Sequence, residues 1–359
     1  FFMEYTFKIY LSANELPLDW ENIVGKYNIL LSKSYFEALD DAKPENMVCY
    51  FAAFFSDEIL IGGALFQYLS FIDHPTFQKK EIGCDVKNFL AKKLSKDVMF
   101  IGNNMLTGQN GFYFNKEKIS TKEASILLDK ATEFMQKKYR KSSLIIYKDF
   151  QSKFMDLFQS KNYDKYFRFS VQPNMMLKIK DCWGTYEDYL NDFSTKYRSR
   201  AKTARKKSNE IEKRELNLNE TKKWSVRINF LYQNVADNAP FNTFFLPKNH
   251  FYRLQESMKG NFRIFGYFLD DEMIGFYSLI LNNEDIDTYF LGYDKDLQKE
   301  KQIYLNMLLD MVEFGINEKY TRIIFGRTAL EIKSTIGAEP FEIFGLIKHN
   351  NSLINPFME

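Results

Sequence analysis

The sequence predicts a mixed α/β protein of the α+β kind, built as two tandem, pseudo-duplicated copies of one unit over residues 1–174 and 175–359. Three observations predict it. A chain of 359 residues is long for one core and comfortable for two. At 45% hydrophobic and 27% charged, its composition is that of an ordinary globular protein. The same order of elements, hairpin, strand, helix, strand, is written twice along the chain.

Each copy opens on a hairpin. In "YFAAFFSDEILIGGALF" (50–66) and "RIFGYFLDDEMIGFYSLI" (263–280), two apolar runs flank an acidic turn, at Asp57 or Asp270–Asp271. The second run enters through Ile-Gly, at Gly62 or Gly275. A strand follows, with "FIGN" (100–103) matched to "FLGY" (290–293). A helix comes next, "LLDKATEFMQKKY" (127–139) or "LLDMVEFGINEKY" (308–320). In the second helix Asn306, Asp310, Glu313 and Asn317 mark a polar face against Leu305, Leu308, Leu309, Val312 and Ile316. The closing strands are "SLIIY" (143–147) and "RIIF" (322–325), and the copies meet near "FSVQPNMMLKIKDCW" (169–183). The first copy carries longer excursions, at 67–98 and 103–120.

Composition and missing motifs narrow the function. A net charge of +2 confines any polyanion binding to a local patch. The longest apolar run, "ILIGGALF" (59–66), is strand-sized, well short of the roughly 20 residues of a membrane helix. "FFMEYTFK" has no basic or long apolar leader region, and Cys49, Cys84 and Cys182 are few and scattered, so a reducing cytoplasm is expected. The 36 Phe and 22 Tyr read as codon bias and core packing before stacking platforms. There is no HExxH, CxxC or His cluster among His74, His250 and His349, so no metal site is expected. GxSxG, Walker and GxGxxG motifs are absent too, which disfavours hydrolases, NTPases and dinucleotide enzymes.

"YEDYLNDFSTKYRSRAKTARKKS" (186–208), "DTYFLGYDKD" (287–296) and "RIIFGRTALEIKSTIGAEP" (322–340), in this order, resemble the GNAT acyltransferase fold. Two copies in one chain resemble the FemABX-type tandem GNAT transferases and related bacterial acyltransferases. The resemblance implies N-acyl or aminoacyl transfer to an amine, with an aminoacyl-tRNA or an acyl-CoA as donor and no tightly bound cofactor. GNAT enzymes grip the coenzyme A pyrophosphate with a glycine-rich turn that opens a helix. Here the corresponding loop, "DKDLQKEKQ" (294–302), has no glycine. "TGQNG" (107–111) precedes a helix that starts only at the capping box Ser120/Glu123. The donor expectation therefore moves towards aminoacyl-tRNA.

In the segment 326–340, Thr328 and Glu331 read as a capping box, Gly337 as the left-handed residue after the helix, and Pro340 as its stop. Lys333 fits none of these roles. It falls inside the apolar arc of Ala329, Leu330, Ile332 and Ile336, where a lysine is expected to snorkel out or meet a negative partner. Aligning 144–155 with 322–333 sets Met155 opposite Lys333 and Asp149 opposite Arg327, so the fold does not require the lysine. Lys333 is read as contacting donor or acceptor. Arg327, after a strand, suits a phosphate or carboxylate, or else a structural ion pair. Tyr289 is read as protonating the leaving group or as core. Asp287 is read as receiving the amine proton or, the favoured option, as a solvated strand end. "KYRSRAKTARKK" (196–207) holds seven basic residues and no acid. Lys196, Arg198, Arg200, Lys202, Arg205 and Lys206 are the expected phosphate-binding strip, behind which Leu190, Phe193, Tyr197, Ala201, Ala204 and Ile211 keep one packing stripe. The alternative for the whole chain is a non-catalytic pair of domains that binds RNA or a phosphorylated ligand through this helix. The acceptor amine and the oligomeric state are not legible.

Overall fold

A computed structural model describes residues 4–71, 96–239 and 242–358, without the side chains of 153–155 and 357. Cys84, most of the first excursion and the Met155 side chain lie outside this description. One compact unit comprises Phe1–Gln172, Pro240–Phe245 and Glu342–Glu359; the other comprises Pro173–Ala239 and Leu246–Phe341. The main boundary between the units falls at 172/173, and the 18 residues 342–359 group with the first unit.

The first unit begins with β1 (Tyr5–Tyr10), α1 (Lys33–Ala42), β2 (Met47–Ser56) and β3 (Ile59–Ser70). Asp57 and Glu58 turn the β2–β3 hairpin with φ of 45° and 67°, the two left-handed residues of a tight hairpin turn that suits strand twist. Next come β4 (Asp97–Ile101), β5 (Phe112–Phe114), α2 (Thr121–Lys138), β6 (Leu144–Phe150) and β7 (Phe167–Ser170). The predicted capping box is present: the Glu123 amide donates to Ser120 Oγ at 3.2 Å and the Ser120 amide to the Glu123 carboxylate at 3.3 Å.

The second unit starts with β8 (Asn174–Lys178), α3 (Tyr186–Asn191), α4 (Thr195–Lys207), β9 (Glu212–Glu215), α5 (Leu218–Lys223), α6 (Ser225–Ala236) and α7 (His250–Met258). It continues through β10 (Phe262–Leu269), β11 (Glu272–Asn282), β12 (Asp285–Tyr293), α8 (Lys295–Lys301), α9 (Ile303–Asn317), β13 (Arg322–Gly326), α10 (Leu330–Ser334) and β14 (Glu339–Phe341). The hairpin turn is repeated, with Asp270 and Asp271 at φ 49° and 62°. β15 (Phe344–His349) closes the chain and belongs to the first unit.

The duplication is visible strand by strand. The first sheet runs β1-β2-β3-β4-β6-β15-β7, with β5 also on β3. The second runs β9-β10-β11-β12-β13-β8-β14 in the same sense. The penultimate strand of the second sheet opens its own unit, whereas that of the first comes from the end of the sequence. β15 lies between β6 and β7, and β8 between β13 and β14, every pairing antiparallel. The short edge strands β1 and β9 have no counterpart in the sequence reading.

Registers refine the internal alignment. Gly62 pairs with Phe54 and Phe114, as Gly275 pairs with Tyr267 and Tyr293. Counting from these glycines, Gln67–Phe100 is the counterpart of Ile280–Asp287. "FIGN" is therefore not the partner of "FLGY"; the residues matching Leu291–Tyr293 are Phe112–Phe114.

In the second unit, Met175, Leu177, Tyr189, Leu190, Ala201, Ala204, Ile286, Leu308 and Ile323 share a core on the sheet face covered by α3, α4 and α9. The opposite face carries α6 on β11 and β12, and α7 on β10. Gly292 permits the α6 contact, since a Cβ there would lie 2.3 Å from the Leu231 carbonyl carbon.

Candidate active site

The second sheet opens at one place. β12 and β13 are parallel neighbours only from Asp285–Arg322 to Asp287–Ile324, after which β12 runs on to Tyr293 and β13 to Gly326 unpaired with each other. Arg322 clamps the paired end by donating to both Asp285 carboxylate oxygens at 2.6 and 2.7 Å. Beyond the parting, β12 bulges. Its partner on β11 changes from Leu291 at Tyr277 to Thr288 at Leu279, leaving Tyr289 and Phe290 opposite Ser278. Ser278 Oγ donates to the Phe290 carbonyl at 2.7 Å.

Asp287 stands where the strands part. It is 6% exposed, which corrects the expectation of a solvated strand end. Burial pushes its carboxyl up to about 7, and one hydrogen bond, from Asn282 Nδ2 at 3.1 Å, works against that shift. Cross-strand partners share a face, so Phe262, Ile280, Asp287, Ile324 and Met176 form one row on the side away from α9.

Tyr289 is half-buried on the same side. Its hydroxyl lies 2.9 Å from Nε2 of the fully buried His250, the first residue of α7, and the two rings stack with centroids 5.8 Å apart. Phe262 meets Tyr289 edge-on at 6.2 Å. His250 belongs to no metal-binding sequence motif; it partners a tyrosine. A lone His opening a helix, 39 residues from its partner, carries no local signal.

The segment 326–340 differs from its expected form. Ala329, at φ 51°, caps α10 without a side-chain hydrogen bond, so Thr328 and Glu331 make no capping box. Gly337 is left-handed as expected (φ 86°), but Pro340 lies within β14, paired with Met175. Gly326 (φ 76°), Thr328 (φ 34°) and Ala329 (φ 51°) put three left-handed residues into a four-residue turn, which is costly for a β-branched threonine.

Lys333 answers that cost. It is 3% exposed, and Nζ donates to the carbonyls of Phe325, Gly326 and Arg327 at 2.7, 3.2 and 3.3 Å. It neither snorkels nor meets a carboxylate. Three consecutive carbonyls take its three donors, and burial lowers its pKa to about 8. Arg327, half-buried, sits on the turn that Lys333 gathers.

The basic helix divides into two groups. Arg198 donates to the carbonyls of Leu190, Asn191 and Phe193 at 2.9–3.0 Å, closing the end of α3. Arg205 pairs with Asp310 and, at 3.0 Å, with Glu313 of α9. Both guanidiniums are therefore committed within the protein, which narrows the expected strip to Lys196, Arg200, Lys202 and Lys206. These four are exposed, and Lys202 lies 3.6 Å from Glu187. The expected packing stripe is broken as well. α3 ends at Asn191, α4 begins at Thr195, and only Ala201 and Ala204 of α4 are buried hydrophobics. The polar face of α9 is where α4 docks: Asn306 Nδ2 reaches the Ala204 carbonyl at 2.9 Å.

At the loop after β12, where GNAT enzymes hold pyrophosphate, Asp294 caps α8 and Asp296 occupies its first turn. Two carboxylates there oppose a bound anion.

Two sheets of the same strand order, the second with parted central strands, define a tandem GNAT fold. No protein-family model matches the sequence, and no curated protein matches it. Among solved structures the chain is similar to FemX, with a TM-score of 0.54 at 12% identity over 90% of this chain and 93% of that one. It is similar to a tandem GNAT protein from the clavulanic acid biosynthesis pathway, solved without AcCoA, with a TM-score of 0.53 at 10% identity over 96% and 98%. L-PGS from Bacillus licheniformis follows, with a TM-score of 0.51 at 10% identity over 91% and 94%. At these identities the likeness is one of fold.

Proposed function

We propose that the second unit transfers an activated acyl or aminoacyl group to an amine. The observation that carries this reading is Asp287: a buried carboxyl with its pKa raised to about 7, at the parting of β12 and β13 and on the same side as the Tyr289–His250 pair. A base poised near neutrality suits removal of a proton from an attacking amine. The amine nitrogen attacks the carbonyl carbon of an ester or thioester, Asp287 takes the amine proton, and the bond to the leaving oxygen or sulfur breaks. Tyr289 gives that atom its proton, and His250 stands behind the hydroxyl to restore it. Arg327 faces a phosphate or carboxylate of a substrate, and Lys333 holds the turn that presents it, acting as a positioning residue.

Asp294 and Asp296 at the start of α8 favour an aminoacyl-tRNA donor over coenzyme A held by its pyrophosphate. The FemX likeness agrees with that choice, and the tandem GNAT likeness keeps an acyl-CoA donor as the second option. Lys196, Arg200, Lys202 and Lys206 would contact the donor's phosphates.

The test is transfer from aminoacyl-tRNA and from acetyl-CoA to a panel of small amines and peptides, with N-acylated products read by mass spectrometry. Asp287→Asn is expected to lower the single-turnover rate by about 10²–10⁴-fold while the protein stays folded. Full activity in that variant would overturn the assignment.

A further inference from the structure

Asn174 is the first residue of β8 and is 1% exposed, yet among the described residues neither its Nδ2 nor its Oδ1 has a hydrogen-bond partner. A buried carboxamide with both ends empty is costly, and native structures retain such a group where something else completes it. The counterpart position in the first sheet, fixed by Ile324–Met176 matching Ile146–Ile347, holds Gly345. The fold therefore does not require a polar side chain there.

Strand alternation gives the direction. Met175 and Leu177 point into the core under α9, so Asn174 and Met176 point to the other face. Met176 is level with Ile324, and Ile324 with Asp287, so Asn174 shares its face with the candidate base. By strand spacing, it lies about 10 Å across the sheet and about 7 Å along it from Asp287. The floor between them is made of Ile324 and Met176, both half-buried.

We infer that Asn174 receives the amide groups of an extended substrate, its Nδ2–H donating to one amide oxygen and its Oδ1 accepting the N–H of the neighbouring amide. A carboxamide, with one donor end and one acceptor end, is the side chain that matches such a chain at two points. The separation from Asp287 places these amides several bonds from the reacting carbon, as in a peptide acceptor or in the pantetheine arm of a thioester donor. The inference rests on the acyl-transfer reading of the second unit and adds a specificity residue to it.

The experiment uses the full chain, as wild type and as Asn174→Leu, with thermal melts and calorimetric titration of two probes, S-acetyl-pantetheine and N-acetyl-glycylglycine amide. Expected are an unchanged or higher Tm for Asn174→Leu and at least 10-fold weaker binding of one probe. The probe that is lost identifies the donor or the acceptor as the source of the amide. Equal binding by both proteins, or a variant that melts earlier and binds as wild type does, would overturn the inference and assign the amide to folding. Failure of wild type to bind either probe would overturn it too. Asp287→Asn, measured alongside for turnover, keeps the two readings apart: it is expected to lose transfer while binding the probes as wild type does. If it kept full transfer while Asn174→Leu lost a probe, the catalytic assignment would fall and the amide site would stand.

Discussion

Where the second unit carries Asp287, the first carries Phe100, on an equivalent strand and opposite an equivalent isoleucine, Ile324 in one case and Ile146 in the other. The bulge differs as much as the acid does. Tyr289 and Phe290 intervene between paired segments of β12, whereas ten residues, Gly102–Gly111, intervene between β4 and β5. That loop is tied in place. Asn103 donates to Tyr35, the Asn104 amide to Gln67, and the Gly108 amide to Asp149 at 3.2 Å. Lys148 Nζ reaches the Leu106 carbonyl at 2.6 Å and pairs with the buried Asp149. One copy keeps its strands apart around an acid; the other fills the same place with its own chain. A bulge is thus the point at which a duplicated sheet diverges without disturbing its registers.

The largest effect expected from this contrast is in rate. Asp287→Asn lowers transfer by the two to four orders of magnitude given above, while Phe100→Leu leaves the single-turnover rate unchanged. Equal losses in both would show that the two clefts share the chemistry.

Stability separates the two buried lysines. Lys148→Met strands Asp149 as a buried charge without its cation and is expected to cost about 3–5 kcal/mol in denaturant unfolding. Lys333→Met leaves carbonyls without donors but no opposite charge, and about 2 kcal/mol is expected, together with slower transfer through the displaced Arg327. The reverse order of costs would break the comparison.

The pH dependence follows from Asp287. The base must be ionised, so the rate should climb about tenfold per pH unit and level off above about 7. Stability moves the other way. A carboxyl whose folded pKa exceeds its unfolded value contributes fully below about pH 4 and loses that contribution as pH rises through about 7. Asp287→Asn should flatten both profiles, measured by stopped-flow and by thermal melts.

The smallest effect concerns α4. Arg200→Glu is expected to weaken tRNA binding several-fold and to reduce the salt slope by about one, with no change in Tm. Arg205→Met, which removes one of the partners of Asp310, should instead lower Tm.

Much of the fold was legible because hairpins advertise themselves. Apolar runs around Asp57 and Asp270–Asp271, each entered through Ile-Gly, carried the duplication. The return of β15 to the first sheet was not legible, since strand sequence specifies a half-buried ribbon and not which sheet receives it. Lys333 stood out correctly as misplaced on its helix, but its carbonyl partners come from a left-handed turn that mimics a capping box in sequence. Asp287 was misjudged because burial at mid-sheet is decided by α6 and α7, elements with no local tie to the strand. The excess of charge on 196–207 was plain, whereas the sorting of Arg198 and Arg205 from the exposed four required knowing where α3 and α9 lie.

The late return of β15 also sets a timetable for synthesis. β6 is complete at Phe150, but the strand that covers its edge begins at Phe344. At about 5–20 residues per second, the ribosome needs roughly 10–40 s to make the intervening stretch. Through that interval an apolar sheet edge waits in the nascent chain, so this protein is expected to engage chaperones early and to leave them only after its final strand emerges.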